Sequence, residues 1–122
     1  MSFRKPLEQI VERASGAVGA VFVDDDGETI DHYTNGSTYE ISLAGAHHGI
    51  ILQLMEKIVE NVEAVENRQS LSSVTIKSDL NTFTMVPVED GTFLVLVQDT
   101  TGIQRQGLRV LQDAVPVIKA LI

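Results

Sequence analysis

Two stretches of the chain are apolar almost without interruption. They are Ala-Val-Gly-Ala-Val-Phe-Val over residues 17–23 and Thr-Phe-Leu-Val-Leu-Val-Gln over residues 92–98. Both are too short for a buried helix and end at turn-forming residues, so they read as strands. A strand with one wet face alternates apolar and polar side chains, whereas these two do not, so each must be covered on both faces. They therefore belong at the centre of a sheet, and that sheet needs helices on both sides.

The remaining elements follow from local signals. Residues 3–14 carry Phe3, Leu7, Ile10 and Val11 at helical spacing, with Ser2 available as a cap, Pro6 in the first turn and Gly16 as a stop. After the first apolar run, Asp24-Asp-Asp-Gly-Glu28 makes a hairpin turn built on Asp26-Gly27. Residues 29–34 then alternate, with Ile30, His32 and Thr34 on one side and Asp31 and Tyr33 on the other, as a polar edge strand. Ser37-x-x-Glu40 is a capping box for a long helix over residues 38–66. Its first part holds Ala44, Gly45, Ala46 and Gly49 for close packing. Its second part opposes Leu54, Met55, Ile58, Val62 and Val65 to Glu56, Glu60, Glu63 and Asn67.

A meander follows. Residues 72–78 place Val74 and Ile76 inward and Thr75 and Lys77 outward. Residues 79–81 turn the chain, residues 82–88 form the next strand, and Glu89-Asp-Gly91 leads into the second apolar run. Thr101-x-x-Gln104 reads as a second capping box, opening a helix through Leu121 that Pro116 should kink or deprive of one hydrogen bond. The expected order is α-β-β-α-β-β-β-α. Joining the hairpin to the meander through the two central strands gives the strand order 2-1-5-4-3. The fold class is α/β, in α/β/α layers around a five-stranded antiparallel sheet. Strand 3, with only Lys77 charged, is the less guarded edge and invites pairing with another chain.

A length of 122 residues suits a single domain spanning residues 1–122. There is no cysteine, which removes disulfides, thiol catalysis and thiolate metal sites. No signal segment or membrane span is visible, and a cytoplasmic protein is expected. The net charge of −8 disfavours nucleic acid and anionic membranes as partners. That charge is uneven: residues 1–66 hold four basic and twelve acidic side chains, whereas residues 67–122 hold five of each.

Motifs for chemistry are missing. Neither a phosphate-cradling G-x-x-x-x-G-K-[ST] loop nor G-x-G-x-x-G nor G-x-S-x-G occurs. His47 and His48 point about 100° apart on a helix and cannot share one metal ion as an i, i+4 pair would. His32 stands alone on a strand. The Asp24–Asp26 loop lacks calcium-loop spacing and its distal glutamate, so the turn explains it. Ser42, His47 and Asp31 could be named as a nucleophile, base and orienter, but nothing in their spacing brings them together. No catalytic residue, cofactor or metal is expected, and the chain reads as a non-enzyme.

Taken together, Gly19-Ala-Val-Phe-Val-Asp-Asp-Asp-Gly27, the long Ala- and Gly-bearing helix, Val74-Thr-Ile76, Phe83-Thr-Met-Val-Pro-Val88, Asp90-Gly-Thr-Phe-Leu-Val-Leu96 and the final helix resemble the Roadblock/dynein light-chain family. The resemblance is nearest to prokaryotic members associated with gliding-motility-type GTPases as activators or scaffolds. It implies a homodimer in which strand 3 pairs with strand 3 of a second subunit and the long helices lie side by side. Leu71, Val74 and Ile76 would then supply the strand contacts, and Met55, Ile58 and Val62 the helix contacts. It also implies a signalling platform for a small Ras-like GTPase. On it, Glu56, Glu60 and Glu63 would steer the partner, and Ile51 and Met55 would give affinity. No active-site motif and no arginine finger is implied, so Arg105 and Arg109 read as surface residues. The competing expectation is a small-molecule-sensing regulatory domain with a pocket between the sheet and the long helix, near His32 or His47.

Overall fold

The structure, a computed structural model, describes residues 2–26, 28–35 and 72–122. In chain order it comprises α1 (Arg4–Arg13), β1 (Ala17–Val23), β2 (Thr29–Thr34), β3 (Val74–Lys77), β4 (Thr82–Pro87), β5 (Phe93–Gln98) and α2 (Gln104–Leu121). The helix expected over residues 38–66 lies outside the described residues. The five strands form one antiparallel sheet in the order β2-β1-β5-β4-β3. This is the order deduced by placing the two unbroken apolar runs side by side.

The central pair is buried as its composition requires. Every residue of β5 is buried, as are the last five of β1. Alternation along the strands sorts these side chains into two separate clusters. Ala20, Phe22, Leu94, Leu96, Val86 and Val88 face one way and meet α1 and α2. The helices bring Leu7, Ile10 and Val11 from α1, and Val110, Leu111, Ala114 and Ile118 from α2. Phe3 closes one end, edge-on to Phe22 with ring centroids 4.9 Å apart. Val21, Val23, Met85, Phe93, Val95 and Val97 face the other way, with Val18, Val74, Ile76 and Phe83 at their margin. Neither α1 nor α2 contributes a side chain to this second cluster.

The edge strand β2 is less polar in role than its sequence implies. Tyr33 packs at the margin of the first cluster, and the Arg4 guanidinium lies 5.4 Å from its ring centroid. Asp31, on the same side, accepts the Phe3 N–H at 3.0 Å and so anchors the start of α1. Ile30, on the opposite side, is exposed. The Glu89–Gly91 turn reaches the left-handed region at Asp90 (φ 53°) and Gly91 (φ 80°), and the Thr92 N–H donates to the Glu89 carbonyl at 2.9 Å.

Pro116 lies inside α2, which continues past it to Leu121. The capping box read at Thr101-x-x-Gln104 does not form. The Thr101 hydroxyl donates to Asp99 Oδ1 at 2.6 Å, and Gln104 Nε2 donates to Thr75 Oγ1 at 3.1 Å. Ile103, not Thr101, occupies the cap position, and its side chain has no oxygen to offer. Ser15 fastens the residue before the helix from outside, its Oγ accepting the Ile103 N–H at 2.8 Å.

Candidate functional site

The β3 edge of the sheet is the described part of the predicted interface. β3 pairs with β4 through Val74↔Met85, Thr75↔Thr84, Ile76↔Phe83 and Lys77↔Thr82. Among the described residues no strand pairs with its outer side. Val74 and Ile76 are half-buried and lean on the second cluster, while Thr75 and Lys77 are exposed. The alternation read from sequence is therefore the one observed. Leu71, Met55, Ile58 and Val62 lie outside the described residues, as do the docking candidates Ile51, Glu56, Glu60 and Glu63. His47, His48 and Ser42 lie there too.

The Asp24–Asp26 loop brings three carboxylates within 4.8 Å of one another. Asp24 Oδ1 accepts the N–H groups of Asp26 and Glu28, at 3.0 and 2.9 Å. The Asp24 N–H donates to the Glu28 carbonyl at 2.9 Å, closing the hairpin. Asp24 is thus spent on the turn, as backbone geometry predicts. Asp31 is engaged in the same way, at the start of α1.

A polar constellation held by long-range hydrogen bonds is one that sequence reasoning missed. It joins the corner after α1 to the corner before α2. Gln98, fully buried at the end of β5, donates from Nε2 to the carbonyls of Ser15 (2.8 Å) and Ile103 (3.2 Å). Gln106 Oε1 accepts the Ser15 N–H at 2.8 Å, and its Nε2 donates to the Arg13 carbonyl at 2.7 Å. The Asp99 N–H donates to the Gly16 carbonyl at 2.7 Å. The Asp99 carboxyl is held below the ordinary carboxylate range, first by the Thr101 hydroxyl and then by the Thr101 N–H. The sequence clue was the single amide ending an apolar run, with small residues, Gly102 and Gly107, opposite it. This corner braces the fold.

Surface depressions are found along α1 (about 350 Å³, lined by Ser2, Arg4, Lys5, Glu8, Gln9 and Glu12) and beside Arg105 and Arg109 (about 200 Å³). Neither is lined by His32. No described helix is long and apolar enough to cross a membrane.

No protein-family profile and no curated protein matches the chain. Solved structures do. MglC from Myxococcus xanthus is 27% identical, with a TM-score of 0.69 and 100% of each chain covered. A Roadblock/LC7 domain from Streptomyces avermitilis superposes with a TM-score of 0.79 at 11% identity, covering 99% of this chain and 98% of its own. Myxococcus xanthus MglB gives 0.73 at 11% identity, covering 99% and 97%. The fold is that of Roadblock/LC7 domains, the family that the sequence resembles, and its structural neighbours include MglC, MglB and the gliding protein MglB of Thermus thermophilus.

Proposed function

We propose that the chain is a non-enzymatic, homodimeric platform that binds a small Ras-like GTPase in the cytoplasm and modulates its nucleotide cycle. The observation that carries this reading is the likeness to MglC over the whole of both chains at 27% identity. The position and composition of β3 support the dimer. It is an edge strand of four residues with two half-buried apolar side chains and one charge. A second copy pairing there would extend the sheet across the two subunits. Val74 and Ile76 would meet their own copies, with Leu71, Met55, Ile58 and Val62 completing the contact.

Ile51, Met55, Glu56, Glu60 and Glu63 would face the GTPase. The acidic row would bring a basic partner in by long-range attraction, and the apolar pair would hold it. Regulation then follows from differential binding. A platform that prefers one switch conformation shifts that population by no more than the ratio of its two affinities.

The test is a calorimetric titration of the protein with a small Ras-like GTPase from the same organism, loaded in turn with GDP and a non-hydrolysable GTP analogue. A tenfold or larger difference in affinity is expected. Negligible binding in both states would sink the proposal, and equal tight binding would leave a scaffold without a regulatory role.

A further inference from the structure

Six of the nine basic residues lie on the two described helices: Arg4, Lys5 and Arg13 on α1, and Arg105, Arg109 and Lys119 on α2. These helices carry only three acids, Glu8, Glu12 and Asp113, and they cover the same face of the sheet. In a protein of net charge −8 these two helices therefore carry a net charge of +3, six basic against three acidic side chains. Its exposed crest is the stripe Arg105, Arg109, Gln112, Pro116 and Lys119 along α2, which contains no acid. Asp113, the one acid of α2, turns aside to Arg13 at 3.6 Å.

Arg105 and Arg109 are placed against local electrostatics. They are like charges one helical turn apart, which repel. Arg105 also sits in the first turn of α2, where the aligned peptide dipoles favour an acid and none is present. Among the described residues neither arginine forms an ion pair. Beside them Ile103 is 62% exposed, and with Gln106 they line a carbon-walled depression of about 200 Å³. An apolar notch walled in part by two arginine side chains, neither ion-paired among the described residues, suits an aliphatic side chain flanked by carboxylates, because each guanidinium can grip a carboxylate with two parallel hydrogen bonds.

We propose that Ile103 and the first half of α2 form a docking surface for an acidic helical segment of another protein. An aliphatic side chain of that segment enters the depression, and carboxylates one turn to either side meet Arg105 and Arg109. The chain's own described acidic cluster, Asp24–Asp26 with Glu28, Glu89 and Asp90 on the neighbouring turn, does not fit this role. It offers no apolar anchor among its carboxylates. A lipid surface fits less well, because the remainder of the chain is strongly negative and would repel it. The surface lies on the sheet face opposite to Val74 and Ile76, the strand residues of the proposed dimer edge.

The probe is a 15-residue helical peptide with a central leucine and a glutamate four residues to either side. It is titrated into isotopically labelled protein and followed by amide chemical shifts. Shifts should gather at Ile103, Gln106 and Arg109. Affinity should fall at least tenfold when the peptide glutamates become glutamine, when its leucine becomes alanine, or in the Arg105→Glu/Arg109→Glu protein. Both arginines are exposed, so that variant should keep its thermal midpoint and its GTPase titration. Absence of shifts at millimolar peptide would overturn the proposal, as would binding indifferent to the charge reversal. Phosphatidylserine vesicle binding or concentration-dependent self-association that disappears with Arg105 and Arg109 would also overturn it, naming a lipid or a second copy as the occupant.

Discussion

Gln98 is the residue on which most of the polar architecture turns. Its amide nitrogen joins the carbonyls before β1 and before α2, while its Oε1 is buried without a hydrogen-bond partner among the described residues. The Cα of Gly107 faces that oxygen, and a Cβ there would lie 2.4 Å from it. Alanine normally stabilises a helix interior relative to glycine by about 1 kcal/mol. Here the sign should reverse, because the amide is held by two bonds and cannot retreat. Gly107→Ala is expected to cost about 1–3 kcal/mol in urea unfolding, the range for overpacked cores. Asp99 gives the pH counterpart. Its folded-state pKa is depressed by Thr101, so its contribution is complete at neutral pH and fades as pH falls through the folded midpoint. Asp99→Asn should therefore lose less stability than the wild type between about pH 7 and pH 2, measured by urea melts. Little of this was legible beforehand. Gln98 stood out as the polar end of an apolar run, but its partners at Arg13–Ser15 and Ile103–Gln106 are non-local, and no spacing rule connects them.

The elements themselves were legible to different degrees. β1, β2 and the central part of β3 were readable because alternation, or its absence, reports directly on which faces are covered. The start of α2 was misread for a physical reason. Thr101 and Gln104 have capping-box spacing, but Asp99 stands two residues before Thr101 and captures its hydroxyl, and Thr75 captures Gln104. The Ile103 N–H is instead held by Ser15 Oγ. Ser15→Ala should therefore cost the protein about 1 kcal/mol, the usual net worth of one hydrogen bond, whereas Thr101→Ala leaves that bond intact. Amide exchange should quicken at Ile103 in the first variant and not in the second. Pro116 is an exposed proline within an otherwise continuous helix. Replacing it with alanine restores a backbone donor and should raise stability by about 1–2 kcal/mol, after the opposing loss of proline's hold on the unfolded chain. A higher thermal midpoint is the check.

At the scale of the molecule, the strand order was legible because only two strands can tolerate cover on both faces. Which helix covers which face was not. The pattern required cover on both sides, but α1 and α2 share one side, since their apolar stripes meet at a common cluster. The β3 edge carries the prediction for assembly. Ile76→Asp should turn the proposed dimer into a monomer in light scattering, while Ile76→Val retains it. An unchanged dimer of unchanged stability would refute pairing through β3. The junction of β1 with β5 also imposes an order in time. Val23 pairs with Phe93 and Ala17 with Gln98, so the centre of the sheet closes only when distant parts of the chain meet. The three hairpin contacts, β1–β2, β3–β4 and β4–β5, need only short turns. Local pairing should therefore come early in refolding, and the two most hydrophobic strands should meet late. Until they do, both present unpaired apolar edges, and that interval is when the chain is most exposed to aggregation.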